Sequence, residues 1–482
     1  MEARGDFIGG KFLPPEGEPF RSRNPARDGE TVLETAGSPA RVRLACEAAR
    51  EALSAWARLS FAERLEHLHR FRDALKARAD SLAEAISLEM GKIRSEARVE
   101  IDGVVARFAS VEAQVKADLR EGPVPGFPQE VLRYHAHGVV GVIGPFNFPI
   151  HLCHVHVVPA LLLGNTVVVK PSEVTPLSGE RYAEAAQAAG LPPGVLNVVH
   201  GRGDVGAALA KDPALRALAF TGSWATGRRI AESLLDRPEV LLALEMGGKN
   251  ACVVREDADL RSAVHEIVTS GYLTTGQRCT CADRLLVHRS RADELVAALD
   301  RVLGALRFGD PEDPASFAGP LASEGARERF LAAMKRAEEG GAEVVRAARP
   351  LDGGFYVTPS IHRVRGPIPG YTDIEIFGPD LCVEVFDDDD EAIAKLNDSE
   401  YGFAHSIFTN DERAFERYFA EVEAGIINKN RSTNQASPRL PFGGIKHSGN
   451  FRPAGAWAHR NLVYPVAHIR NEGGAFARHP KI

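Results

Sequence analysis

Cysteine is scarce in this chain of 482 residues, with six in all: Cys46, Cys153, Cys252, Cys279, Cys281 and Cys382. That density is far below a disulfide framework, so the expectation is reduced thiols in a cytoplasmic protein. Charge of one sign is also missing. The 58 Lys and Arg stand against 65 Asp and Glu, a net −7 with no basic run. Nothing here draws nucleic acid or an anionic membrane surface, which leaves a small molecule as the expected partner. Long apolar runs are absent too. The strongest, "VVPALLLGNTVVV" at 157–169, is broken by Gly164 and Asn165 and falls short of the roughly 20 residues that span a bilayer. "MEARGDFIGGKFLPPEG" lacks the basic start and apolar core of a signal peptide.

What is present is an α/β rhythm. The segment from "PARVRLACEAAR" to "ISLEMGK" carries apolar residues at helical spacing, and from 138 the pattern shifts to short apolar runs. "GVVGVIGPFN", "NTVVVKPS", "GVLNVVHG", "LRALAFTGS" and "EVLLALEMGGKNACVV" each end in Gly, Pro, Asn, Ser or a similar breaker, with helical stretches between. This is the βαβ order of a doubly wound parallel sheet, whose ligands sit at the carboxyl ends of strands. A second α/β set runs from "DLRSAVHEIV" to "AGIINKN", and the acid run "FDDDDEAI" reads as a cap for the helix after it. The length leaves room for two or three domains.

Several motifs compete for the chemistry. Gly201, Gly203 and Gly206 satisfy G-x-G-x-x-G after a strand, but the next strand ends in "FTGS", without the acid that a dinucleotide fingerprint needs. "GSWATG" (Gly222, Ser223, Trp224, Ala225, Thr226, Gly227) is the better phosphate candidate, since small residues open a helix whose first amides attract anions. Lys170 and Glu173 emerge where "VVVKPSE" leaves its strand, either as ribose contacts or as a solvated loop. Asn147 in "GPFNFP" is either a fixed amide donor for an oxyanion or a turn residue. Glu245 in "LALEMGGKN" follows an apolar strand, where burial raises a carboxyl toward a general base's range; its alternative is a capping acid.

"PIHLCHVHVVPA" brings His151, Cys153, His154 and His156 together, but the spacing matches no metal signature, and no metal is expected. Cys-x-Cys in "TTGQRCTCADRLLV" is likewise a poor zinc signature, and a disulfide across it would be strained. A single activated cysteine is the simpler reading. Amides and Arg278 ahead of Cys279 provide a setting that favours thiolate.

Together, "PFNFP", "GNTVVVKPSE", "FTGSWATG", "LEMGGKN", "GQRCT", "EIFGP" and "PFGGIKHSG" occur in the order and spacing of the aldehyde dehydrogenase superfamily, which the chain resembles over nearly its whole length. "GQRCTCADRLLV", "LPPGVLNVVHG" and "SGNFRPAGAW" resemble the branch that oxidises N-succinylglutamate 5-semialdehyde in arginine catabolism. The resemblance implies Cys279 as nucleophile, Asn147 with the Cys279 amide as oxyanion donors, and Glu245 as the base that activates water. It implies "GSWATG" at the pyrophosphate, Lys170 and Glu173 on the adenosine ribose, Glu375 on the nicotinamide ribose and Phe442 beside it. The carboxylate of Glu173 would repel a 2′-phosphate, so NAD is expected over NADP.

The implied fold is a variant Rossmann NAD-binding domain (1–122 and 138–247), an α/β catalytic domain (248–447) and a small oligomerisation element (123–137 and 448–482). The last makes dimers or tetramers in the family. A dianionic substrate needs cations, and Arg278, Lys429, Arg431, Arg439 and Arg452 lie in segments placed to supply them. The competing functions are oxidation of another anionic semialdehyde, such as succinate or glutamate semialdehyde, and a non-catalytic structural protein on the same fold.

Overall fold

The computed structural model describes residues 1–450, 453–471 and 481. Two seven-stranded sheets dominate it, one built from the first half of the chain and one from the second. In the first, the strands run in the spatial order Leu241–Glu245, Leu215–Thr221, Val139–Ile143, Thr166–Lys170, Leu196–Val198, Asp6–Ile8 and Lys11–Leu13. The first five are mutually parallel, and the N-terminal hairpin joins the edge antiparallel. Every residue of Val139–Ile143 and Thr166–Lys170 is buried, as expected of β-branched central strands covered on both faces. Gly141 sits in the middle of one because a Cβ there would lie 2.8 Å from the Leu218 side chain.

The second sheet has the order Glu343–Arg346, Ser360–Arg363, Asp380–Phe386, Ala282–His288, Asn250–Val254, Ala404–Phe408 and Ile426–Lys429, parallel except at its first edge. Only Met246–Lys249 separates the last strand residue of the first sheet, Glu245, from the first of the second, Asn250. The helix Asp389–Asn397 is capped by Asp388, whose side chain accepts the Glu391 amide at 2.9 Å, as the acid run suggests. A separate three-stranded antiparallel sheet joins Gly122–Val124, Phe127–Ala136 and Val463–Ile469. Among the described residues no helix is long and apolar enough to cross a membrane.

Candidate active site

Four of the positions singled out in the sequence line the carboxyl edge of the first sheet. The adjacent strands ending at Glu245, Thr221, Ile143 and Lys170 deliver, in spatial order, Glu245, the "GSWATG" turn, the turn holding Asn147, and Lys170. Main-chain bonds tie the ends together: Gly222 donates to the Glu245 carbonyl at 2.9 Å and Gly144 to the Lys170 carbonyl at 3.0 Å. The far side of Glu245 is held by the segment 448–450. Met246 donates to the Ser448 carbonyl, Leu244 to the Asn450 side chain, and Glu245 bridges to Gly449. Gly449 has φ 155°, and a Cβ there would lie 2.5 Å from the Leu244 carbonyl.

Facing this edge is the amino edge of the second sheet. The helix Leu260–Tyr272 leads through a tight turn into 277–281 and then the strand Ala282–His288. Thr274 and Thr275 take left-handed backbone (φ 54° and 57°), a cost of about 1–3 kcal/mol each that surrounding bonds must offset. Thr274 Oγ1 donates to the Glu96 carboxylate and accepts from Arg278 Nε, and Thr275 Oγ1 donates to the Gly319 carbonyl. Gln277 is locked as well, its Oε1 accepting the Ala322 amide at 3.0 Å. Asn147 closes the gap between the sheets by donating from Nδ2 to the Gln277 carbonyl at 2.9 Å. Asn250 Nδ2 donates to the carbonyls of Cys279 and Cys281 at 2.8 and 2.9 Å, and its Oδ1 accepts the Ala404 amide.

The electrostatics separate the two cysteines. Burial, then the carboxylates of Glu245 and Glu375, push the Cys279 thiol well above its usual range. Burial raises Cys281 to about 11, with Arg278 and a hydrogen bond from Asn434 opposing. The expectation that Arg278 favours a Cys279 thiolate is therefore corrected: its charge acts on Cys281, and its guanidinium is paired with Glu96 at 2.8 Å. Arg278 also lies 5.1 Å from the Phe148 ring centroid, with Lys92 Nζ at 3.5 Å. The residue after Asn147 thus packs against the residue before Cys279. Glu375 is pushed up to about 8, first by burial, while Gly248 donates to its Oε1 at 3.0 Å. A side chain at Gly247 (φ 76°) would collide with that carboxyl.

Around the turn at 222–227, Ser223 precedes the helix Trp224–Ser233, and its hydroxyl bonds Thr226 Oγ1 at 3.2 Å without capping the first amides. Trp224 stacks on His447 at 3.9 Å and 14°. Gly227 has no room for a side chain beside Met246. Lys170 is buried, its ammonium donating to the Pro171 carbonyl at 3.0 Å and lying 3.5 Å from the half-exposed Glu173 carboxylate. Phe442 packs edge-on against Phe403, ring centroids 5.2 Å apart.

The glycine-rich decoy is filled by the protein itself: Gly201 packs against Gly37, where a Cβ would lie 2.5 Å from the Gly201 Cα, and the His200 amide donates to Asp6. His154 lies inside the buried helix His151–Leu162, its Nδ1 2.9 Å from the Tyr182 hydroxyl. Among the described residues no cluster of three or more His, Cys, Asp or Glu is placed to hold a metal. Of the candidate cations, Arg278 is paired with Glu96, Lys429 with Glu412, and Arg431 with Glu266 at 3.7 Å. Arg439 is exposed and has no carboxylate partner among the described residues, while Arg452 lies outside them. Asn250, Thr274, Thr275, Gln277 and Glu96 were not singled out from the sequence. Asn250 sits within the quoted "GGKN", but nothing local marks a strand's first residue as a partner for a loop 29 positions on.

The family model described as aldehyde dehydrogenase family matches residues 12–465. The chain belongs to this family. An N-succinylglutamate 5-semialdehyde dehydrogenase of Chromobacterium violaceum is 41% identical over 467 residues, 96% of either chain. The protein of the same name from Escherichia coli K12 is 39% identical over 97% of this chain and 95% of its own. Among solved structures, an NAD-dependent aldehyde dehydrogenase from Sinorhizobium meliloti superposes with a TM-score of 0.93 at 32% identity, covering 99% of this chain and 96% of that one. The aldehyde dehydrogenase fold thus accounts for both sheets.

Proposed function

We propose that this aldehyde dehydrogenase oxidises N-succinyl-L-glutamate 5-semialdehyde to N-succinyl-L-glutamate with NAD, in arginine catabolism. The observation carrying the reading is the name shared by relatives about 40% identical over nearly the whole chain. The chemistry is supported by Asn147 bonding the loop two residues before Cys279 and by Glu245 lying near enough to raise the Cys279 thiol.

In this reading the Cys279 thiol gives up its proton to solvent and the sulfur attacks the aldehyde carbon as thiolate. The resulting oxyanion is held by the Cys279 amide and by Asn147, whose Nδ2 has two hydrogens and spends one on Gln277. NAD, when bound, would supply the acceptor for the hydrogen that leaves the thiohemiacetal carbon with its two electrons. The product on Cys279 is a thioester. Glu245 then takes a proton from water, the hydroxide adds to the thioester carbonyl, the carbon–sulfur bond breaks, and the departing Cys279 thiolate regains its proton from Glu245 as the carboxylic acid leaves.

The residues present suit NAD. An ammonium beside a carboxylate, Lys170 and Glu173, complements the two hydroxyls of a ribose, and Glu173 disfavours a 2′-phosphate. The amides opening Trp224–Ser233, left uncapped by Ser223, suit a pyrophosphate beside Gly222, Ala225 and Gly227. Glu375 and Phe442 suit the nicotinamide ribose.

The same proposal divides the chain into an NAD-binding domain (1–122, 138–247), a catalytic domain (248–447) and an oligomerisation element (123–137, 448–482) of a cytoplasmic homodimer or homotetramer. The small sheet supports this, with Phe127, Tyr464 and Ile469 exposed on it. Arg439, three residues before Phe442 and without a carboxylate partner among the described residues, anchors the substrate carboxylates. The test is kcat/KM for a panel of semialdehydes, read by NADH absorbance. N-succinylglutamate semialdehyde should lead; parity with succinate semialdehyde would withdraw the substrate. Arg439→Ala should raise KM for the anionic substrate about tenfold, roughly the loss of one charge-assisted bond, and leave propanal unchanged.

A further inference from the structure

We infer that Asn434 is a positioning residue for Cys279, setting the nucleophile by stapling both ends of the loop that carries it; this rests on Cys279 being the nucleophile. Asn434 lies in "NKNRSTNQASPRLPF", after the strand Ile426–Lys429. Its side-chain Nδ2 donates to the carbonyls of Thr269 and Ser270 at 2.7 and 3.0 Å and approaches Cys281 Sγ at 3.5 Å. Its Oδ1 accepts the Thr280 hydroxyl at 2.8 Å. Two carbonyl partners require donors, which assigns the nitrogen and the oxygen of this amide without ambiguity.

The carbonyls of Thr269 and Ser270 belong to the last turn of Leu260–Tyr272, where a helix leaves carbonyls without intrahelical donors. Asn434 therefore caps the helix from which the loop departs. Thr280 is the residue after Cys279, where the loop arrives. One carboxamide fixes the start and the end of 271–280, with the left-handed Thr274 and Thr275 between them.

The Thr280 bond matters for chemistry because its χ1 is stiff. Holding its hydroxyl orients the 279–280 peptide, and with it the direction in which the Cys279 side chain leaves the chain. Asn250 holds the neighbouring main-chain carbonyls of Cys279 and Cys281, while Asn434 takes the side chains of Thr280 and Cys281. Cys281 thus has a defined contact: its sulfur accepts from Asn434 and bonds the Leu273 carbonyl at 3.8 Å.

Asn434 is itself held. Its amide donates to Ser432 Oγ, Thr433 donates to Ser270 Oγ, and Ser432 to Glu266. The strap runs on to Arg439 and Phe442, the residues proposed above for the substrate carboxylates and the nicotinamide ribose.

The test compares Asn434→Ala, Thr280→Val, their double variant and Thr280→Ser in the full-length protein. The first readout is the pre-steady-state NADH burst with NAD and propanal, which does not depend on the anionic substrate. Asn434→Ala and Thr280→Val should each slow the burst by about tenfold or more, a displacement effect of the kind that misplaced groups cause. The double variant should be no slower than the worse single one, and Thr280→Ser, which keeps the hydroxyl, should stay within about twofold of the unaltered protein. The second readout is the rate of iodoacetamide labelling of Cys279 against pH, resolved by peptide mass. It should change in the same direction in both singles and not in Thr280→Ser. Should Asn434→Ala not fold, the contrast of Thr280→Val with Thr280→Ser decides alone. Lowered melting temperatures with unaltered burst and labelling would overturn the role, as would multiplying effects in the double variant. If the unaltered protein oxidises no aldehyde, the proposed function falls, while the labelling series still tests Asn434.

Discussion

The Asn147 side chain donates to the Gln277 carbonyl at 2.9 Å, two residues before Cys279, and so links the carboxyl edge of one sheet to the amino edge of the other. This bond holds the loop that carries Cys279 and leaves Asn147 a second N–H, which the proposed mechanism gives to the oxyanion. Asn147→Ala should therefore lower kcat by about 10²–10³-fold, the usual cost of one oxyanion donor. Stopped-flow NADH formation checks it; an unchanged burst rate would remove Asn147 from the chemistry.

The two cysteines should separate cleanly. Cys279→Ala should reduce aldehyde oxidation to background, because no neighbouring group replaces the attacking sulfur. Cys281→Ala should retain most of it, since Asn434 keeps its two carbonyl acceptors and Thr280. Steady-state rates decide, and equal losses would contradict the assignment of Cys279.

Glu245→Gln should leave a trapped acyl-enzyme. Loss of a general base costs about 10²–10⁴-fold, and it should fall mainly on thioester hydrolysis, seen as a mass increment on the Cys279 peptide after mixing with NAD and aldehyde. An unaltered turnover rate would show that water is activated elsewhere.

The Glu375 carboxyl makes the cofactor-free protein pH-dependent. Its pKa is raised from 4.5 to about 8, so the folded protein keeps a proton that the unfolded chain releases near pH 4.5. The contribution of Glu375 to folded stability thus falls as pH climbs from about 4.5 to 8 and levels off beyond, while His156, His200 and His405, lowered by burial to about 4, 3 and 3, contribute with the opposite sign up to about pH 6.5. Glu375→Gln removes this component and should flatten the decline in melting temperature between pH 5.5 and 8 by about 1–3 °C. Glu89 and Asp6, both raised to about 7 by burial, contribute with the same sign and keep some slope. A variant with the slope of the unaltered protein would assign the effect to the other buried carboxyls, which include Glu180 and Asp283, also raised by burial.

Much of this protein is legible from its residues in order. Buried parallel strands such as "VVGVI" and "TVVVK" announce themselves because a central strand covered on both faces is apolar throughout. Breakers at their ends mark where Asn147, Lys170, Gly222 and Glu245 emerge, and a doubly wound sheet puts strand ends on one edge. Even the decoy glycines can be set aside by the missing acid after "LRALAF", although the filling of their turn by Gly37 and Asp6 becomes visible only in the fold.

What the tertiary structure alone decided is what surrounds the sulfur. Arg278 reads as a cation poised beside Cys279, yet Glu96, nearly two hundred positions away, takes its charge. Asn250 and Asn434 carry no local signature, because a side-chain amide gains a role only from carbonyls that the folding of two sheets brings within about 3 Å. Spacing along a chain encodes periodic burial, since one face repeats with every turn or pleat. Hydrogen bonds between residues 29 to 165 positions apart obey no such period, and the second sheet's amino edge had to meet the first sheet's carboxyl edge before the Cys279 sulfur had its neighbours.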